Sequence, residues 1–389
     1  MEVTDVQYKE SEIGVIPVDW NVKKISDFSK PVRGGSPRPA GSPLYFNGDY
    51  IPWLTVAALT NISSSQLFVS ETEGFLTQLG SEYSRTLEKD TLIIANSGAT
   101  LGVAKLLAIK CCANDGIAAL NNFSREVDKA YVVYYINSIT QKLREVVATG
   151  NGQPNLNTTL IGELRIPLPS TKSEQTAIAT ALSDTDALIE NLEKLIAKKR
   201  NIKQGVMQEL LKPESNWILT SVGEVATIRK GEQLNKDTLT AQGQYPVMNG
   251  GIQPSGYTDK WNQNPNTIII SEGGNSCGYV NFIKTRFWQG GHCYSVDAKI
   301  HKHFLYHLLK FHEKEIMGLR VGSGLPNIQR NRLIEFSLSI PDREKQHAIA
   351  LVLDEINEVI TAMENKLQKY KMVKQGMMQA LLTGKIRLA

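Results

Sequence analysis

The sequence predicts a mixed α/β fold: two globular α/β domains separated by two long antiparallel helices that form a coiled coil, the whole related by a pseudo-two-fold internal repeat. Three observations carry this. The chain has 389 residues, more than one ordinary core holds. Residues 175–211 align without gaps to 346–382, with 15 of 37 positions identical, including Lys203-Gln204-Gly205 and Lys374-Gln375-Gly376. Both copies show a heptad apolar seam. The expected boundaries are a first domain at 1–169, a central helix at 170–212, a second domain at 213–341 and a C-terminal helix at 342–389.

In the first domain, Pro52–Val56 and Thr91–Ala95 are β-rich runs bounded by Gly, Ser and Asn, and residues 131–147 read as helix. The second domain repeats the pattern with strands at Thr267–Ser271 and Gly278–Ile283 and a helix over 301–317. Fainter matches extend the repeat into both domains. Trp20 answers Trp217, and Arg33-Gly34 answers Lys230-Gly231. Gly152-Gln-Pro154-Asn155 answers Gly324-Leu-Pro326-Asn327, ahead of Ile166–Pro169 and Leu338–Pro341. Elsewhere the domains have diverged.

The second helix carries Ile349, Leu353, Ile356, Ile360, Met363, Leu367, Tyr370, Met377 and Leu381 at alternating steps of three and four, broken by Lys374. The first carries Ile178, Leu182, Ile189, Leu192, Ile196, Val206 and Leu210, interrupted by Thr185, Lys199 and Lys203. Pro169 and Pro341 stand before these helices, Pro213 and Gly384 after them. One apolar stripe on so long a helix needs a partner, and each repeat is the simplest partner for the other. A chain running domain, helix, domain, helix then packs the two antiparallel.

Composition, 41% hydrophobic and 21% charged, is that of a folded protein. No run of about 18 apolar residues occurs, and Met1-Glu-Val-Thr-Asp5 is neither a basic nor an apolar leader, so a cytoplasmic location without membrane contact is expected. Net charge is +4, and residues 1–150 carry 14 Lys+Arg against 16 Asp+Glu. Charge alone therefore does not establish nucleic-acid binding. Cys111, Cys112, Cys277 and Cys293 form no Cys-x-x-Cys and read as reduced packing residues. No phosphate-binding Gly-x-x-x-x-Gly-Lys loop and no third glycine after Gly322-Ser-Gly324 are present, and Asn264-Pro265-Asn266 lacks the Pro-Pro-aromatic continuation that holds a flipped adenine. No catalytic residue is assigned. His303 and His307 share a helix face, but no carboxylate or cysteine at ligand spacing completes a metal set, so a solvated helix face is expected and no metal.

Candidate DNA contacts come from equivalent loops of the two domains. Arg33, Gly34 and Arg38 correspond to Arg229, Lys230 and Lys236, cations beside flexible backbone that suit guanine and phosphate. Asn96, Ser97 and Thr100 correspond to Asn275 and Ser276, polar residues leaving a strand. Lys105, Lys284 and Arg286 follow as backbone clamps. Ordinary charged turns and hairpins would look the same. Pro154, Asn155, Pro326 and Asn327, with Lys203, Gln204, Lys374 and Gln375, recur in both halves, which suits a structural role or a common partner.

Two unlike domains, duplicated long helices, Gly-x-Pro-Asn before each helix and Lys-Gln-Gly-x-Met-Gln near each helix end resemble the specificity subunit of type I restriction-modification enzymes, over Trp20 to Leu382. The resemblance implies two target recognition domains, each reading half of an asymmetric bipartite double-stranded DNA site, with the helices as a ruler. It implies partners as well: two modification subunits that bind AdoMet and methylate adenine at N6, and restriction (motor-nuclease) subunits that use ATP and Mg²⁺. No cofactor falls to this chain. Two other classes remain open at this level, a DNA methyltransferase or nuclease with built-in recognition domains and a coiled-coil scaffold that does not touch DNA.

Overall fold

The computed structural model describes residues 7–98, 100–147, 155–322 and 326–388. They form two compact units, one drawn from residues 1–194 and 365–389, the other from 195–364. Each division falls inside a long helix. The helices span Lys172–Leu210 and Arg343–Leu381, 39 residues each.

In the first unit, a five-stranded sheet runs in the order Lys30–Arg33, Ile117–Asn121, Leu92–Ala95, Ala104–Leu107, Phe68–Val69. A four-stranded sheet around Phe46–Leu54 lies beside it, and Arg165–Leu168 pairs antiparallel with Asn21–Lys24. The helix Lys129–Ser138 is capped by Asp128, whose carboxylate accepts from the Tyr131 amide at 2.9 Å. Leu92, Ile94, Ala118 and Leu120 turn one face of the five-stranded sheet onto this helix, and Trp20 meets Tyr131 edge-on. Ile178 and Leu182 from the first long helix, with Leu381 at the end of the second and Leu382 just past it, complete the same core. The helix ends are thus part of the domain.

The second unit repeats this plan with fewer strands. Its main sheet runs Ala226–Lys230, Cys293–Ala298, Thr267–Ser271, Val280–Ile283, and Ile218–Ser221 pairs with Ser337–Ile340. The helix Lys302–Phe311 is capped by His301 rather than an aspartate. Met207 and Leu211 join Ile349 and Leu353 in its core.

Gln175 and Gln346, the first residues of the aligned repeat, show why that repeat exists. Each side chain donates back to a proline carbonyl, Pro169 at 3.1 Å and Pro341 at 2.8 Å. Each accepts from the backbone of the neighbouring helix cap, Asp128 N at 2.8 Å and His301 N at 3.1 Å. One buried amide therefore locks the long helix to its domain in both units.

Within each unit the long helices pack antiparallel. In the first, Thr185 meets Met377, Asp186 meets Lys374 at 2.6 Å and Glu193 meets Lys371 at 2.7 Å, one number rising as the other falls. In the second, Arg200 pairs with Glu364 at 2.6 Å. The polar breaks in the seam follow from this. Lys374 is nearly buried against Asp186, which also accepts from Tyr134 Oη at 2.9 Å, and burial holds the Asp186 pKa above its usual value despite that ion pair.

The histidine pair departs from expectation. His307 is fully buried, and it and His303 hold opposite oxygens of Asp354, at 2.8 and 2.5 Å, so this is not a solvated face. The carboxylate comes from the second long helix, 47 residues beyond His307, out of reach of any local spacing rule. Among the described residues, no set of three or more His, Cys, Asp or Glu is arranged to hold a metal.

Candidate nucleic-acid interface

The two units build the same backbone frame at the ends of their central strands. Gly34 N donates to Ile117 O at 2.8 Å, and Gly231 N to Cys293 O at 3.0 Å. Asn96 N donates to Gly116 O at 2.9 Å, and Glu272 N to His292 O at 2.8 Å. Leu156 N and Ile328 N, just past the two Pro-Asn pairs, donate to Asn96 O and Glu272 O, both at 2.8 Å. Both glycines are demanded by the frame: a Cβ on Gly34 would run into the carbonyl oxygens of Asn114 and Ala113, and one on Gly231 into those of Gly290 and Gln289.

On this shared frame the side chains differ. In the first unit Arg33, exposed at its strand end, donates from Nε to the Asp115 carbonyl at 2.6 Å, and Arg33 and Arg38 reach the Asp115 carboxylate at 3.8 and 3.9 Å. Ser36 Oγ donates to the same carboxylate at 2.7 Å. In the second unit Lys230 takes the place of Arg33, but its acidic partner is Glu272, which occupies the position of Asn96. His292 stands where the first unit has Gly116. Each unit thus presents a cation, an acid and polar backbone from strands distant in sequence, in two different chemistries.

The expected contacts divide accordingly. Arg33, Gly34, Arg38 and Ser97 gather at the first frame, with Arg38 largely exposed. Asn96 and Thr100 lie there too but are buried, the Asn96 amide donating to Asp115 O. Lys105 is corrected: it is 2% exposed, its ammonium held by the carbonyls of Ser63 and Gln66, and burial pushes its pKa down to about 8. It is no backbone clamp on the surface. In the second unit Lys230 joins the frame, whereas Arg229 points to the opposite face of its strand towards Asp297, 3.5 Å away. Asn275 is exposed and Ser276 Oγ is tied to Gly250 O at 2.5 Å. Lys284 is exposed farther along, and Arg286 stacks over Trp261 with its guanidinium carbon 4.5 Å from the ring centroid. Lys236 begins a short 3-10 helix, Lys236–Thr238. Asp115, Glu272 and His292 were missed, since strand pairing alone brings them to the cations.

The partner candidates separate as well. Asn155 and Gln375 line one apolar groove of about 1080 Å³ in the first unit, with Tyr135, Leu160, Met378 and Leu382. Gln204 is exposed in the second unit. Lys374 is corrected from a partner contact to an internal ion pair, and Lys203 is half-buried, its pKa lowered by burial and by Lys310. Pro326 and Asn327 line a recess beside Lys230 and Glu272 instead of a separate face. Pro154 lies outside the described residues.

The family model for the type I restriction modification DNA specificity domain matches residues 17–199 and again residues 214–371. The chain belongs to this specificity family. The two matches correspond to the two copies of the repeat, so the duplication read from the sequence is a duplication of the specificity domain. The type I restriction enzyme MjaIX specificity subunit of Methanocaldococcus jannaschii is 24% identical, over 99% of this chain and 97% of its own. A putative type I specificity subunit of Mycoplasma genitalium, S.MgeORF438P, is 33% identical over 37% of this chain and 38% of its own. The crystal structure of a type I restriction-modification S subunit from M. genitalium has the same fold, with a TM-score of 0.70 at 18% identity, covering 98% of both chains. Among the described residues, no helix of this specificity subunit is long and apolar enough to cross a membrane.

Proposed function

We infer that the chain is the DNA-reading subunit of a type I restriction-modification complex acting in the cytoplasm, and that it lends its partners an address rather than a reaction. Each unit reads one half of an asymmetric, interrupted double-stranded site through the frame described above. The pair of long helices, about 58 Å each at 1.5 Å per residue, sets the gap between the halves. Two modification subunits, carrying AdoMet, methylate adenine N6 at the site so addressed, and restriction subunits carrying ATP and Mg²⁺ supply translocation and cleavage. Asn155 and Gln375 in the apolar groove, and exposed Gln204, are the surfaces offered to the modification subunits.

One observation carries this reading: an identical backbone frame in both units, with Arg33 and Asp115 on one and Lys230, Glu272 and His292 on the other. A duplicated catalytic centre would keep its side chains and let the frame drift. A duplicated reader of unlike sequences does the reverse. The test is selection from a DNA library carrying two randomised blocks with variable spacing, using the full chain with its modification subunit. Enrichment of two different blocks at one spacing, weakening as salt rises, is the expected result. Enrichment of nothing overturns the reading, and so does tight AdoMet binding by the chain alone.

A further inference from the structure

The recess beside Glu272 in the second unit is more specific than a general basic surface. It has a volume of about 470 Å³ and is lined by Lys230, Asn249, Glu272, His292, Pro326 and Asn327 together with Gly273 and Gly274. The Glu272 backbone is fixed on both sides, its N–H on His292 O and its carbonyl receiving Ile328 N, each at 2.8 Å. The carboxylate is only 13% exposed. Its Oε1 accepts from Lys230 Nζ at 2.6 Å and from Tyr294 Oη at 3.0 Å. Among the described residues, Oε2 accepts no hydrogen bond, with His292 Nδ1 standing off at 3.8 Å. A part-buried, pre-oriented acceptor is therefore left with free capacity, beside an ammonium that spends one of its three N–H groups on it.

We propose that Glu272 and Lys230 together read one C·G base pair in the major groove, the carboxylate accepting from cytosine N4 and the ammonium donating to guanine O6 and N7. This rests on the function proposed above and gives one half-site a base. In a C·G pair the N4 donor and the O6 acceptor lie side by side, one hydrogen bond or about 2.9 Å apart. Glu272 offers its free Oε2 to the amino group, while Lys230 Nζ, held 2.6 Å from the neighbouring Oε1, stands beside it for the carbonyl, which sets an acceptor next to a donor with the polarity of the pair reversed. An A·T pair also sets an amino donor beside a carbonyl. There, however, the thymine methyl would face the ammonium, and the second acceptor that guanine N7 offers a lysine is lost. The first unit cannot read this way, because Asn96 takes the position of Glu272 and is 2% exposed. Its half-site is an internal control.

The test is the library selection repeated with Glu272→Gln and Lys230→Gln. The wild-type chain is expected to select C·G at one position of one block. Both variants are expected to lose that preference by about tenfold or more while the other block is selected as before. If Glu272→Gln loses its whole block, Lys230→Gln, at an exposed strand end, decides on the same criterion. Variants that select the wild-type motif unchanged overturn the proposal and leave the proposed function standing, as does a changed position that is A·T in the wild-type motif. A wild-type chain that selects nothing removes both.

Discussion

Arg387 grips Asp19 with both terminal nitrogens, Nη1 at 2.9 Å and Nη2 at 2.8 Å, joining positions 368 residues apart. The same guanidinium reaches Glu174 from Nε at 2.5 Å and from Nη2 at 2.8 Å. Asp19 precedes the core Trp20 and Glu174 opens the first long helix, so one side chain near the end of the chain ties down both. Arg387→Ala strands the buried Glu174 carboxylate and is expected to cost on the order of 2–3 kcal/mol in the first unit. Denaturant unfolding followed by hydrogen exchange checks this, with protection falling around residues 19–25 and 172–182 and retained in residues 217–340. A loss spread evenly over both units would count against it.

Gly34 and Gly231 are expected to tolerate no side chain, because the backbone carbonyls of Ala113 and Asn114, and of Gln289 and Gly290, occupy the Cβ position. Ala at either position forces the glycine backbone away from these carbonyls, at a cost of about 1–3 kcal/mol. Because the cation next to each glycine moves with it, Gly34→Ala is expected to degrade one half-site and Gly231→Ala the other. Library selection with each variant reads this directly, and degradation of the same half-site by both contradicts it.

All six histidines lie in the second unit and give it a pH dependence of their own. His301 and His307 are both held below the ordinary 6.5, chiefly by burial. His347 and His303 add to the lowering at His301, while Asp354 opposes it. At His307 Asp354 again opposes the shift, and Lys203 and His303 deepen it. The unfolded chain takes up these protons near 6.5 and the folded unit resists them, so stability is full above that pH and falls as pH drops towards the folded-state values. His301→Asn keeps a cap for the Phe304 amide and removes one titrating group. Thermal midpoints at about pH 7.5 and 5.5 are expected to differ less for this variant than for the wild-type chain. Equal differences would contradict the assignment.

The helical ruler makes a separate demand. The helices run antiparallel within each unit, so an insertion must be matched in both, one heptad after Lys194 and one after Glu364. Seven residues add about 10.5 Å, or about 3 base pairs of B-DNA. Selection is expected to return the original half-sites with the gap lengthened by about that much. Altered half-sites at the original gap would contradict the ruler.

The long helices were legible because their signals are local and repeated: prolines before them, a heptad seam along them, and Gln175 and Gln346 opening the aligned stretch. The interruptions in that seam were visible too, but not what they do. Lys374 needs Asp186, and Asp186 needs Tyr134, from three elements distant in sequence. The site was half legible for the same reason. Arg33, Gly34 and Lys230 stand out by composition and by the repeat, whereas Asp115 and Glu272 become partners only when Ala118 pairs with Arg33 and Tyr294 with Lys230 across a sheet. Lys105 reads as a surface cation in the sequence, but its strand Ala104–Leu107 is buried on both faces, and the carbonyl partners at Ser63 and Gln66 that satisfy its ammonium are about 40 residues upstream.

Mapping methylated adenines across the source genome, with the gene intact and with it deleted, bears most directly on the central claim. The account predicts an asymmetric two-part motif of fixed gap whose adenines lose their methyl groups when the gene is removed, and return when it is restored. Methylation unchanged by the deletion, or lost only from an uninterrupted palindrome, would contradict it.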